Sequence, residues 1–81
     1  MKVSVQFYAQ LRDIFGKSKL DFDLSDGSAV SDLLEAIYQK CPDLRVHDRS
    51  ILTGAGVEFV DRNYKLKVGE EIAIMPPVQG G

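Results

Sequence analysis

The sequence predicts an α+β domain: a mixed sheet of about five strands with one main helix packed across it. Three observations carry that expectation. Val3-Ser4-Val5-Gln6-Phe7 and Leu20-Asp21-Phe22-Asp23-Leu24 alternate apolar and polar residues, the period of a half-buried strand. Val30, Leu33, Leu34, Ile37, Tyr38 and Cys41 fall on one face at helical spacing. Ile72-Ala73-Ile74-Met75 is a short apolar run of strand length, stopped by Pro76-Pro77.

Eighty-one residues fit one domain. A chain of this size buries only about 60% of its unfolded surface, so its core must be efficient. The net charge of −2, with no long run of one sign, speaks against binding nucleic acid or an anionic membrane. Apolar stretches are only a few residues long, too short for a bilayer helix. Met1-Lys2 leads into a strand pattern instead of a signal-peptide core, so the expected location is the cytoplasm. Cys41 is the sole cysteine and cannot form an internal disulfide, which fits a reducing compartment.

Taken in order, the first strand covers residues 3–7, and parity puts Tyr8 on the solvent face with Lys2, Ser4 and Gln6. Residues 9–15 are rich in helix formers and close on Gly16, a C-terminal cap. The second strand, 20–24, ends in the turn Ser25-Asp26-Gly27. Ser28 is the expected N-cap of the main helix, residues 29–40, with Asp32 near its positive dipole end; Pro42 stops it. Residues 43–49 are polar and read as a loop, with Leu44 or Val46 tucked in. Ile51-Leu52-Thr53 reads as a strand broken by Gly54-Ala55-Gly56, and Val57-Glu58-Phe59-Val60 as another. Leu66 is a core anchor between two turns, and Glu71 to Met75 is the last strand. A right-handed crossover through the helix would set the last strand parallel to the first. This is the β-grasp, or ubiquitin-like, arrangement, with a domain at 1–75 and an extended arm at 76–81.

The domain itself offers little chemistry. Cys41 lies on the apolar helix face, the place of a small core residue, and the one histidine, His47, is in a loop. No spacing of Cys and His suits a metal, so no metal and no bound cofactor are expected. Asp21 and Asp23 alternate on an outer strand face and read as solvated. Gly54-Ala55-Gly56 lacks the Lys-Ser/Thr and following helix of a phosphate loop, and suits a turn or bulge.

The arm Pro76-Pro77-Val78-Gln79-Gly80-Gly81 cannot contribute much core. Six extended residues span roughly 20 Å. Fraying is the common fate of terminal glycines, but the prolines stiffen the exit. Gly80 and Gly81 would pass through a channel only backbone-wide, and a carboxylate so presented can be activated as an acyl-adenylate by a partner using ATP. Beside the exit, strand parity turns Met75 outward with Tyr8, and Phe59 competes with Val57 and Val60 for the core. An aromatic–methionine cluster there is a candidate docking patch.

Phe7-Tyr8-Ala9-Gln10-Leu11-Arg12, the central helix, Val68-Gly69-Glu70-Glu71-Ile72 and above all the Pro-Pro-aliphatic-x-Gly-Gly ending resemble the small subunits of molybdopterin synthase. The resemblance spans essentially the whole chain. It implies that the Gly81 carboxylate is adenylated by an ATP-dependent enzyme related to ubiquitin-activating enzymes and converted to a thiocarboxylate by a sulfur donor. It implies that the arm, Pro76 to Gly81, enters a large subunit, usually in a heterotetramer of two large and two small subunits. There the sulfur goes to a cyclic pyranopterin, making the dithiolene that binds molybdenum or tungsten, while the large subunit holds the pterin and supplies the catalytic residues. Tyr8, Phe59 and Met75 match the apolar surface that meets both partners. Ala55-Gly56-Val57 stands where members of the family often carry a Val-Asn-Gly-like turn. A carrier for thiamine synthesis or tRNA thiolation would share Gly80-Gly81 but usually lacks the proline pair and is shorter. A ubiquitin-like modifier conjugated through Gly81, or an interaction domain with an idle tail, are the other readings.

Overall fold

The structure, a computed structural model, describes residues 1–77, so the expectations for Val78, Gln79, Gly80 and Gly81 lie outside the described residues. The elements are β1 (Lys2–Phe7), α1 (Ala9–Phe15), β2 (Lys19–Asp23), α2 (Val30–Lys40), a 3-10 helix (Pro42–Ser50), β3 (Leu52–Ala55), β4 (Glu58–Val60) and β5 (Glu71–Met75). They build one sheet in the order β2-β1-β5-β3-β4. β1 and β5 are parallel, Val5 beside Ile72 and Phe7 beside Ile74; the other pairs are antiparallel. The last strand thus lies beside the first, as the crossover argument required.

Alternation decides which sheet face is covered. Val3, Val5, Phe7, Ile72 and Ile74 are buried against Val30, Leu33, Leu34, Ile37 and Tyr38 of α2, with Leu44 and Leu66 closing the edges. Each such side chain, fully buried, contributes about 1.5–3 kcal/mol. α1 closes the top of β1, where the Phe15 ring stacks on Phe7 with centroids 4.0 Å apart. Gly16 ends α1 at φ 91°, as its sequence position predicts.

The start of α2 differs from the expectation. Ala29, not Ser28, is the N-cap, and the cap is built by a distant segment. The Val30 and Ser31 N–H groups donate to the carbonyls of Tyr64 and Arg62, each at 3.0 Å. Asp32 Oδ2 accepts the Ala29 N–H at 2.9 Å. Ser28 instead gives its carbonyl to the Leu66 N–H, in a short bridge where Ala29 pairs with Lys65. Orphan helix donors are satisfied by whatever acceptor is nearest, and here the loop after β4 supplies it.

Residues 43–49 are not a loop but part of the 3-10 helix, with Pro42 in its first turn. Of the two apolar candidates there, Leu44 is buried and Val46 exposed. β3 runs through Gly54 instead of breaking at it, and β4 begins only at Glu58, because Gly56 at φ 65° makes the turn and leaves Val57 in solvent. β2 starts and ends one residue earlier than the alternation suggested.

Candidate functional site

With α2 covering one face, the other face of the sheet is open. The register lays out its rows. Nearest the N-terminal end of β1, Lys2 pairs with Asp23, and in the next row Ser4 stands between Asp21 and Glu71. The next row runs Lys19, Gln6, Ala73, Gly54 and Phe59. At the end of β5, just before Pro76, Met75 faces Leu52 across the β3–β5 ladder. The face therefore grades from charged to apolar toward the place where Pro76 and Pro77 leave β5.

Tyr8 reaches this face by a local backbone device. Its own φ of −120° continues the strand, and its N–H donates to the Ile74 carbonyl at 3.1 Å. Ala9 then takes φ 51°, a left-handed conformation that costs a non-glycine residue about 1–2 kcal/mol, and swings the chain into α1. Tyr8 is left outside, 44% exposed, its hydroxyl donating to Gln6 Oε1 at 2.6 Å.

Phe59 is 70% exposed, and Met75 is half-buried. Between them lies an open cavity of about 250 Å³ lined by Tyr8, Gly54, Phe59, Ala73 and Met75, with Gly56, Val57 and Glu58 at its rim. Its floor is low because Gly54 has no side chain. A Cβ there would come within 3.3 Å of Met75 Cε and 3.5 Å of the Glu58 carbonyl. Tyr8, Phe59 and Met75, singled out from the sequence, therefore share one concavity. Sequence reasoning missed its floor; a glycine inside a strand pattern was the available signal. Pro76 and Pro77 are partly buried directly beyond Met75. Val78, Gln79, Gly80 and Gly81, assigned to the arm and its tip, lie outside the described residues.

The opposite side holds a polar network that the sequence did not announce. Asp48, in the 3-10 helix, accepts the Tyr38 hydroxyl of α2 on Oδ1. The same oxygen accepts Arg62 Nη1 at 2.9 Å, while Arg62 Nη2 donates to the Asp48 carbonyl. The Tyr38 hydroxyl bond, followed by the Arg62 guanidinium, holds the Asp48 carboxyl below its usual pKa against a smaller opposing effect of burial. Burial first, then the bond to Asp48, pushes the Tyr38 phenol well up. Arg45 lies 5.0 Å over the Tyr38 ring and pairs with Glu35 at 2.7 Å.

The remaining candidates are structural. Cys41 is partly buried, its thiol 3.6 Å from the Ile14 carbonyl. Asp21 accepts the Ser4 hydroxyl at 2.6 Å on the solvated face. Among the described residues no group of three or more His, Cys, Asp or Glu side chains could hold a metal ion, and no helix is long and apolar enough to cross a membrane.

Fold and site define a β-grasp domain of the ubiquitin-like class, with an apolar concavity beside Met75 at the end of β5. A model described as the ThiS family matches residues 5–81, and the chain belongs to that family. It is 34% identical to a molybdopterin synthase sulfur carrier subunit from Chlamydomonas reinhardtii, covering all of both chains. Among solved structures it is similar to a chain in a complex of subunits 1 and 2 of molybdopterin-converting factor from Helicobacter pylori 26695 (26% identity, all of both chains, TM-score 0.70). It is also similar to small archaeal modifier protein 1 from Methanosarcina acetivorans (28% identity, 99% of this chain and 96% of that one, TM-score 0.82).

Proposed function

We propose that this chain is the sulfur-carrier subunit of molybdopterin synthase. The observation that carries the reading is the full-length likeness to relatives of that name, joined to an apolar concavity set where the arm leaves the sheet. In this reading the domain is a handle and the arm the reagent. The Gly81 carboxylate attacks ATP on an activating partner, forming an acyl-adenylate and releasing pyrophosphate. A sulfur donor then displaces AMP and leaves a thiocarboxylate. The arm enters the large subunit, Gly80 and Gly81 giving the slim passage; the thiocarboxylate sulfur bonds to the pyranopterin as a thioester, and water cleaves the acyl–sulfur bond, leaving the sulfur on the pterin and restoring the Gly81 carboxylate. Tyr8, Phe59 and Met75 hold either partner in turn, and Pro76 and Pro77 aim the arm, with Val78 and Gln79 spanning the distance between. The working assembly is two large and two small subunits, in the cytoplasm. A complex of both subunits in the solved relative supports a large-subunit partner.

A second reading, a protein modifier attached through Gly81, draws on the likeness to the archaeal modifier. Intact mass of the chain purified from its own cells separates the two. Exchange of one oxygen for sulfur, together with co-purification of a pterin-binding subunit, is expected; recovery only as adducts to lysines of other proteins would favour the modifier. Deleting Gly81 should abolish the sulfur exchange and leave unfolding unchanged. A sulfur-loaded deletion variant would refute the assignment of the tip.

A further inference from the structure

β4 carries Phe59, the most exposed of the large side chains around the concavity apart from Val57, yet it is the least supported strand. It is three residues long, sits at the sheet edge and pairs only with β3. Short edge strands of this kind fray readily unless fastened elsewhere. Two residues beyond Val60 the chain is tied down at Arg62, and from two directions. Its carbonyl accepts the Ser31 N–H at the start of α2, and its guanidinium clasps Asp48 through both the side-chain and the backbone oxygen. Asp48 is itself held by Tyr38, which is buried in the α2 face. The Thr53 hydroxyl donates to the Val60 carbonyl at 2.7 Å, so β4 is tied at its last residue and again just after it.

From this arrangement we infer that Arg62 and Asp48, on the far side of the sheet from the concavity, are positioning residues for the docking face: their clasp sets where β4 presents Phe59. Neither lines the concavity. The clasp suits arginine, whose fork reaches two acceptors at once; lysine would reach one. Residues without ligand contact modulate binding by roughly 0.5–2 kcal/mol in other systems, which corresponds to about two- to thirty-fold in affinity. The binding half of this inference rests on the function proposed above; the strand-anchoring half does not.

The test uses the full chain with Arg62→Gln, Asp48→Asn and Arg62→Lys, and Ile37→Val as a core variant that loosens the fold as a whole. Amide hydrogen exchange is read by NMR along Glu58–Val60 and along β1 and β5, and affinity is measured for the molybdopterin synthase large subunit. Arg62→Gln and Asp48→Asn should raise exchange in β4 selectively and weaken binding about two- to thirty-fold, with Arg62→Lys between them and wild type. Ile37→Val should change exchange evenly and leave the affinity of the folded protein alone. Unchanged β4 exchange in Arg62→Gln overturns the inference, as does selective loosening of β4 with wild-type affinity. If the wild-type chain itself fails to bind the large subunit, the proposed function falls and the exchange measurement alone decides the clasp.

Discussion

Replacing Phe59 by alanine separates folding from docking. An aromatic side chain offers about 200 Å² of surface. Phe59 is 70% exposed, so its own fold hides only the remaining third or so, on the order of 60 Å². At about 25 cal/mol per Å², truncation should cost folding about 1.5 kcal/mol. The exposed share, about 140 Å², is available to a partner and has a ceiling near 3.5 kcal/mol, about 300-fold in affinity. Urea unfolding measures the first quantity, and titration calorimetry with the large subunit measures the second. The expected result is a modest loss of stability beside a loss of affinity of ten-fold or more. A destabilisation above ~3 kcal/mol would show Phe59 to be a core residue, and unaltered binding would remove it from the docking face.

Gly54→Leu should fill the floor of the concavity, because even a Cβ meets Met75 Cε at 3.3 Å. Binding of the large subunit is expected to fall at least ten-fold, while unfolding moves by no more than about 1–3 kcal/mol; a variant that binds as wild type would mean the floor is not used. Gly16→Ala should cost about 1 kcal/mol in urea unfolding, because φ is 91° there. The Asp48 carboxyl is held below its usual pKa in the folded state, so its contribution is present above the unfolded value near ~3.9 and fades as pH falls through the folded value. Wild type should therefore exceed Asp48→Asn in stability by a constant amount above about pH 4, with the gap closing below it; a gap that widens in acid would reverse the sign of the argument.

Much of this fold was legible because its information is periodic. β1, α2 and β5 announce themselves by spacing, and the parity of Ile72 and Ile74 was enough to turn Met75 outward. Tyr8 was placed on the correct face by parity, because its extended backbone continues β1 before Ala9, at φ 51°, turns the chain into α1. What stayed hidden is non-local. The cap of α2 comes from carbonyls more than thirty residues downstream, which no inspection of Ser28 could reveal. The 3-10 helix is polar in composition, and its order comes from Leu44 beneath it and Asp48 clasped to Tyr38 and Arg62. Gly54 within a strand pattern hints at a close approach, but which side chains stand around it follows only when β3 is set between β4 and β5.

The central position of β5 bears on how the molecule comes into being. Its partners are β1, some seventy residues earlier in the chain, and β3, and without it the sheet falls into two unjoined pairs. Closing so long a loop is entropically expensive, and pairings of such high contact order slow folding toward the millisecond-to-second range. A growing or clipped chain that stops short of Glu71 lacks the strand that joins the two halves of the sheet. Cooperative folding thus ties the sheet to its last strand: a molecule with the complete sheet has already produced the strand from which Pro76 and Pro77 depart.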